Sequence, residues 1–234
     1  MHIRIGLENG DENRSVAWAL DFPGCFAYGA DSSEAPVRVV PAYLAYRSWI
    51  RHHGGLPGLP EDRELDVKLV ESWNVYWIDE DFEKGPGKPY AVNAWFHEDW
   101  KPLTRAEGRR AAALLKWARE DLLAALAGLT AAELDAERPG ERWSIRGIAR
   151  HVANAEWWYL ERLGLAGVER AALPEDVLER LAAVRARLLH VLPDLEGLDL
   201  VVGRNGEFWS PRKLIRRALW HERDHTDHIL KLRG

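Results

Sequence analysis

The sequence predicts an α+β chain of two domains, a small β-β-α-β domain over residues 1–100 and an all-α four-helix bundle over residues 101–234. Three observations carry this. The first hundred residues hold short alternating runs broken by Gly, Pro and Asn, the texture of strands and turns. The rest holds four long amphipathic stretches with helix-start and helix-stop signals. The charge balance also changes there: residues 1–100 carry 9 Lys and Arg against 17 Asp and Glu, and residues 101–234 carry 23 against 20.

The first strand is expected over residues 2–8, where Ile3, Ile5 and Leu7 alternate with polar residues and Gly, and Asn9-Gly10-Asp11 reads as the turn. A second strand is expected over residues 15–21. The run Pro23-Gly24-Cys25-Phe26-Ala27-Tyr28-Gly29 then carries a kink and a short extended piece. Asp31 or Ser32 caps a helix that runs to about His52. Its apolar side is expected to be Val37, Val40, Tyr43, Leu44 and Trp49, and Pro41 should kink it. Gly54–Pro60 and Gly85–Pro89 read as loops. Residues 64–73 and 74–78 look extended. In the second half, Thr104 with Glu107 forms a capping box for a helix to about Ala127. Ser144 starts a helix that ends at Gly164, Pro174 starts one stopped by Pro193, and Ser210-Pro211 opens the last, to about Leu232. Four amphipathic helices with moderate connections argue for a bundle.

Composition narrows the function. No apolar run approaches the ~18–20 residues of a membrane span. The single cysteine, Cys25, excludes an internal disulfide, fits a reducing cytoplasm and reads as a packed turn residue. The net charge of −5 is not the basic balance of a general nucleic-acid binder, so none is expected as a partner. Trp157-Trp158 offers a surface for a homodimer.

The chemistry concentrates in histidines. His221, His225 and His228 lie at i, i+4 and i+7 in a helical stretch, so their imidazoles share one face. Two histidines one turn apart can hold one metal ion. His151, in its own amphipathic helix, supplies a third imidazole from a facing helix, the way bundles build metal sites. Taken alone, His151 reads first as a hydrogen-bonded core residue, and the last-helix histidines also read as a polar turn that complements the helix dipole.

Residues 101–232 resemble the DinB-like family, a metal-binding four-helix bundle related to bacterial thiol-dependent transferases. The resemblance rests on Arg142-Trp143-Ser144-Ile145-Arg146, on His151-Val152-Ala153-Asn154-Ala155-Glu156 and on the His221-x-x-x-His225 pair. It implies His151, His221 and His225 as metal ligands. His228 falls where the family often has glutamine, so it is an outer group, a proton shuttle or a rival ligand. Three imidazoles suit Zn²⁺ or Ni²⁺, with Fe²⁺ also compatible, and leave a coordination position open for water or substrate. The related enzymes imply a low-molecular-weight thiol cosubstrate, because this chain has no cysteine placed to supply a thiolate. His228 and Glu156 are the expected catalytic side chains. Glu156, Asp224 and Asp227 could orient the imidazoles or simply face solvent.

Residues 1–80 resemble the HicB-like antitoxin domain, a β-β-α-β unit, through Asp21-Phe22-Pro23-Gly24-Cys25-Phe26-Ala27-Tyr28-Gly29 and Ser32-Ser33-Glu34-Ala35. No helix-turn-helix or ribbon-helix-helix segment follows, so the resemblance implies a scaffold or ligand lid rather than an antitoxin. Two readings stay open. One is a metal-dependent thiol transferase or hydrolase acting on a small electrophile. The other is a non-catalytic binding protein whose N-terminal domain recognises a ligand or protein.

Overall fold

The computed structural model describes residues 1–56, 64–81 and 85–233. The chain is α+β and divides into two compact units. One comprises Met1–Lys101 with Asp199–Lys213, and the other Pro102–Leu198 with Leu214–Gly234.

The first unit is built on a four-stranded sheet of β1 (His2–Asp11), β2 (Arg14–Ala19), β3 (Phe26–Gly29) and β4 (Asp66–Asn74), in the order β3-β2-β1-β4. Strand β1 (His2–Asp11) pairs antiparallel with β2 (Arg14–Ala19). The strand expected over residues 2–8 therefore runs on to Asp11, and the turn falls at Glu12-Asn13. Both residues take positive φ, 51° and 60°, the mirror-image turn that matches the twist of a hairpin. Gly10, at φ 85°, sits where the register slips between Asn9 and Asp11. The extended piece Phe26–Gly29 is a true strand, β3, paired with β2. The order is thus β-β-β-α-β, one strand more than expected. Helices α1 (Glu34–Val37) and α2 (Val39–His52) carry the chain over to β4 (Asp66–Asn74), which lies parallel to β1.

The helix expected from residue 31 to 52 is broken at Arg38, because Pro41 has no N–H for the carbonyl of Val37. The break re-phases the buried face. Val39, Tyr43, Tyr46 and Ile50 face the core, whereas Val37 and Leu44 are exposed. Residues 57–60 of the Gly54–Pro60 loop lie outside the described residues. Gly85–Pro89, expected as a loop, belongs to strand β6 (Gly85–Val92), paired with β5 (Tyr76–Asp81).

A hairpin, β7 (Val202–Arg204) and β8 (Glu207–Trp209), completes this unit. It turns on Asn205-Gly206, again with positive φ at both positions. After it, the fully buried Lys213 ammonium donates to the Glu207 carboxylate at 2.7 Å and to the Asn93 carbonyl at 3.2 Å. Its charge also lies 4.8 Å from the Trp209 ring centre, so a buried cation is compensated on several sides.

The second unit is helical. Helix α3 (Arg105–Leu126) opens with the expected capping box: Thr104 Oγ1 accepts from Glu107 N, and the Glu107 carboxylate accepts from Thr104 N. A short α4 (Ala131–Asp135), not foreseen, repeats the device with Thr130 and Glu133. Helix α5 (Ile145–Arg162) is capped by Ser144, whose Oγ accepts from Gly147 N at 3.2 Å. Helix α6 (Val177–Val191) is capped by Asp176, and α7 (Pro211–Arg233) is the last. One buried apolar cluster draws Leu122 and Leu126 from α3, Ile148 and Val152 from α5, Leu181 and Val184 from α6, and Ile229 from α7. Burial of this shared stripe, rather than helix propensity, supplies most of the stability of such helices. No helix among the described residues is long and apolar enough to cross a membrane.

Candidate metal centre

His151 lies on α5, and His221 and His225 lie on α7. The three imidazoles converge. His221 Nε2 stands 2.9 Å from His151 Nε2 and 3.2 Å from His225 Nε2. One ligand atom from each residue falls within 4.8 Å of the others. Metal–nitrogen bonds of ~2.0–2.1 Å place neighbouring donors ~3.3–3.4 Å apart in a tetrahedron and ~2.9–3.0 Å apart in an octahedron. The two spacings to His221 fall in this range and the third pair lies within 4.8 Å, so the three neutral nitrogen donors can close on one divalent ion with a small adjustment of the His151–His225 pair.

The electrostatics agree. Burial is the main cause, with His225, His151 and Arg217 adding to it, that pushes the His221 imidazole well below its usual range. His221 is therefore neutral at physiological pH, the form that binds metal. The indole of Trp143 stacks on the His151 ring, with centroids 4.5 Å apart and planes at 28°, and Tyr159 presents an edge to His221. These rings pack on two of the three imidazoles.

His228 stands apart from the three. Its Nε2 lies 2.9 Å from Glu141 Oε2, and its ring centre is 6.2 Å from that of His225. Both His228 and Glu141 are partly open to solvent. Glu141 was not foreseen as a site residue. Asp227 is exposed and Asp224 half-buried.

Glu156, expected as a catalytic side chain, is placed elsewhere. It is buried, and its two carboxylate oxygens accept from Arg185 Nε at 2.7 Å and from Arg119 Nη2 at 2.6 Å. The same two guanidinium groups also hold the buried carboxylate of Glu222. Arg119, Glu156, Arg185 and Glu222 thus form a closed ring of alternating charge, with one member from each of α3, α5, α6 and α7. Each arginine further donates to a carbonyl on the other's helix, Arg119 to Leu181 and Arg185 to Leu115. Burial alone would push the Glu156 carboxyl up, but the charges of Arg185 and Arg119 outweigh it and hold the group below its ordinary value. Three members of this ring were missed from sequence. The available signal was spacing: Leu115-x-x-x-Arg119-x-x-Leu122 and Leu181-x-x-x-Arg185-x-x-Leu188 each set a charge into an apolar helical stripe.

Residues 114–229 match the family model of the DinB superfamily, a span that contains His151, His221 and His225. Nothing in these comparisons supports the HicB-like resemblance. No curated protein and no solved structure matches the chain.

Proposed function

We propose that the DinB-like helical region is a four-helix bundle that binds one divalent ion, Zn²⁺ or Ni²⁺, through His151, His221 and His225. In this reading it acts on a small electrophile with a low-molecular-weight thiol or water. The observation that carries the reading is the convergence of three imidazole nitrogens within 4.8 Å from two helices. Three protein ligands leave an open position, the arrangement of reactive rather than purely structural sites. Bound there, the ion supplies Lewis acidity and lowers the pKa of a thiol or water in that position.

The chain's own groups do the rest. Trp143 and Tyr159 hold the imidazoles and limit access to them. We assign to His228, paired with Glu141, the proton released by thiol or water. A carboxylate that accepts one ring N–H leaves the other ring nitrogen as the acceptor, the logic of carboxylate–histidine pairs in acid–base catalysis. Glu156 acts through the helices that it ties together and does not touch the reacting atoms.

A second reading gives the chain a binding role, with the first unit, HicB-like in this view, recognising a ligand or protein. The exposed Leu69, Tyr76 and Trp77 on β4 and β5 favour it. The two readings separate on untagged protein. The enzymatic reading expects about one divalent ion per chain by elemental analysis, lost in His225→Ala, and a thiol-dependent activity that falls with the metal. Wild type that holds no ion after exposure to Zn²⁺ and Ni²⁺ overturns it.

A further inference from the structure

Building on the metal-binding reading above, we infer that the buried Arg119–Glu156–Arg185–Glu222 ring sets the register of α5 against α7, so that His151 meets His221 and His225 before any ion binds. The four residues are positioning residues for the metal centre.

Both of the ring's carboxylates stand on the helices that carry the ligands. Glu156 lies five positions after His151 on α5, and Glu222 directly follows His221 on α7. A slide of one residue along a helix moves a side chain by ~1.5 Å. A working metal site tolerates misplacement of only ~0.5 Å. The apolar stripe between these helices makes only non-directional contacts. The ring does not. Arg185 reaches Glu156 through two nitrogens, Nε at 2.7 Å and Nη2 at 3.0 Å, a directional fork that one displaced residue would break. Because the ring closes through all four helices, moving any one of them strands a buried charge.

Stability alone does not explain the ring. A buried ion cluster is often no more stable than apolar residues of the same volume, and its best-attested use is to specify register. The four members range from 1 % to 6 % exposed, so solvent neither screens them nor supplies substitute partners. The single bonds from Arg119 Nη1 to the Leu181 carbonyl and from Arg185 Nη1 to the Leu115 carbonyl add the same constraint between α3 and α6.

The test is a Co²⁺ titration followed by visible absorption, which reports both affinity and coordination geometry. The main variant replaces the ring with apolar side chains of similar volume (Arg119→Met, Glu156→Leu, Arg185→Met, Glu222→Leu). Arg185→Lys is a second variant, which keeps the charge and loses the fork. Folding is checked first by near-UV circular dichroism. The expected result is Co²⁺ binding weaker by about 10–100-fold in the apolar variant, with an altered visible band, and a smaller loss in the same direction for Arg185→Lys. Unchanged affinity and spectrum in a folded variant overturn the inference. An independent arm uses metal-free wild type and needs no variant to fold. Amides of α5 near Glu156 and of α7 near Glu222 should exchange as slowly as in metal-loaded protein, and rapid exchange without metal overturns the register role. Wild type that binds no Co²⁺ removes the metal reading and this inference with it, whatever the exchange data show.

Discussion

Glu156→Gln removes one charge from the buried ring and keeps its shape. In the native chain the Glu156 side chain is 4 % exposed beside Arg119 at 8 % and Arg185 at 6 %. Removing one partner of such a set leaves buried positive charge uncompensated and costs about 3–5 kcal/mol. That is a large share of the ~5–15 kcal/mol that holds a typical domain together. For a chain of this size about 1 kcal/mol shifts the melting midpoint by ~2–4 °C, so a fall of roughly 6–20 °C is expected for the helical transition. The Arg146–Asp135 pair, 28 % and 56 % exposed, is the control. Asp135→Asn should lower the midpoint far less than Glu156→Gln does.

The pH dependence has a definite sign. The Glu156 carboxyl is held below its ordinary value in the folded chain, so its stabilisation is complete above the unfolded value and is lost as pH falls through the folded one. The gap between wild type and Glu156→Gln should therefore be full at neutral pH and narrow progressively below about pH 4. Far-UV circular dichroism melts across a pH series measure it. A neutral-pH drop no larger than that of Asp135→Asn would refute the reasoning.

Other expectations follow from single contacts. Leu181→Ala, at a fully buried position in the core shared by four helices, should lower stability by about 2–5 kcal/mol in urea unfolding, and a loss below ~1 kcal/mol would count against that core. Ser144→Ala removes the cap of α5 and should cost about 1 kcal/mol, with faster hydrogen exchange at Gly147. Gly29→Ala would place a Cβ 2.2 Å from the backbone nitrogen of Ala35, so the junction of β3 and α1 must shift. Near-UV circular dichroism should show the first unit loosened, and a native-like spectrum with unchanged melting would contradict the packing described.

Local chemistry was the legible part. The Thr104 and Ser144 caps need only their own helix, and the i, i+4 histidines of α7 follow from helical geometry. Even so, bringing His151 to them needed the family resemblance, because periodicity alone left it a core residue. What escaped was set by contacts distant in sequence. Glu141 meets His228 across 87 positions, and the charge ring closes across four helices. Tyr43 was read correctly, but the helix breaks at Arg38 before Pro41, and Val39, Tyr46 and Ile50 line the buried side of α2 where Val37 and Leu44 were expected. The β7–β8 hairpin was readable in principle from Asn205-Gly206, a strong hairpin signal, but its three-residue strands gave no alternation to support it.

The hairpin has a consequence for modularity. The chain passes between its units after Lys101, after Leu198 and after Lys213, so no single cut yields both intact. A fragment ending at Lys101 would lose the Lys213 ammonium that caps the Asn93 carbonyl, and Phe208, whose ring packs 5.6 Å from that of Trp95. A fragment starting at Pro102 would carry Trp209 and Lys213, both fully buried in the native chain, into water. Any exchange of this helical unit with another protein must therefore leave residues 199–213 with the sheet. Simple end-to-end fusion would not preserve either half.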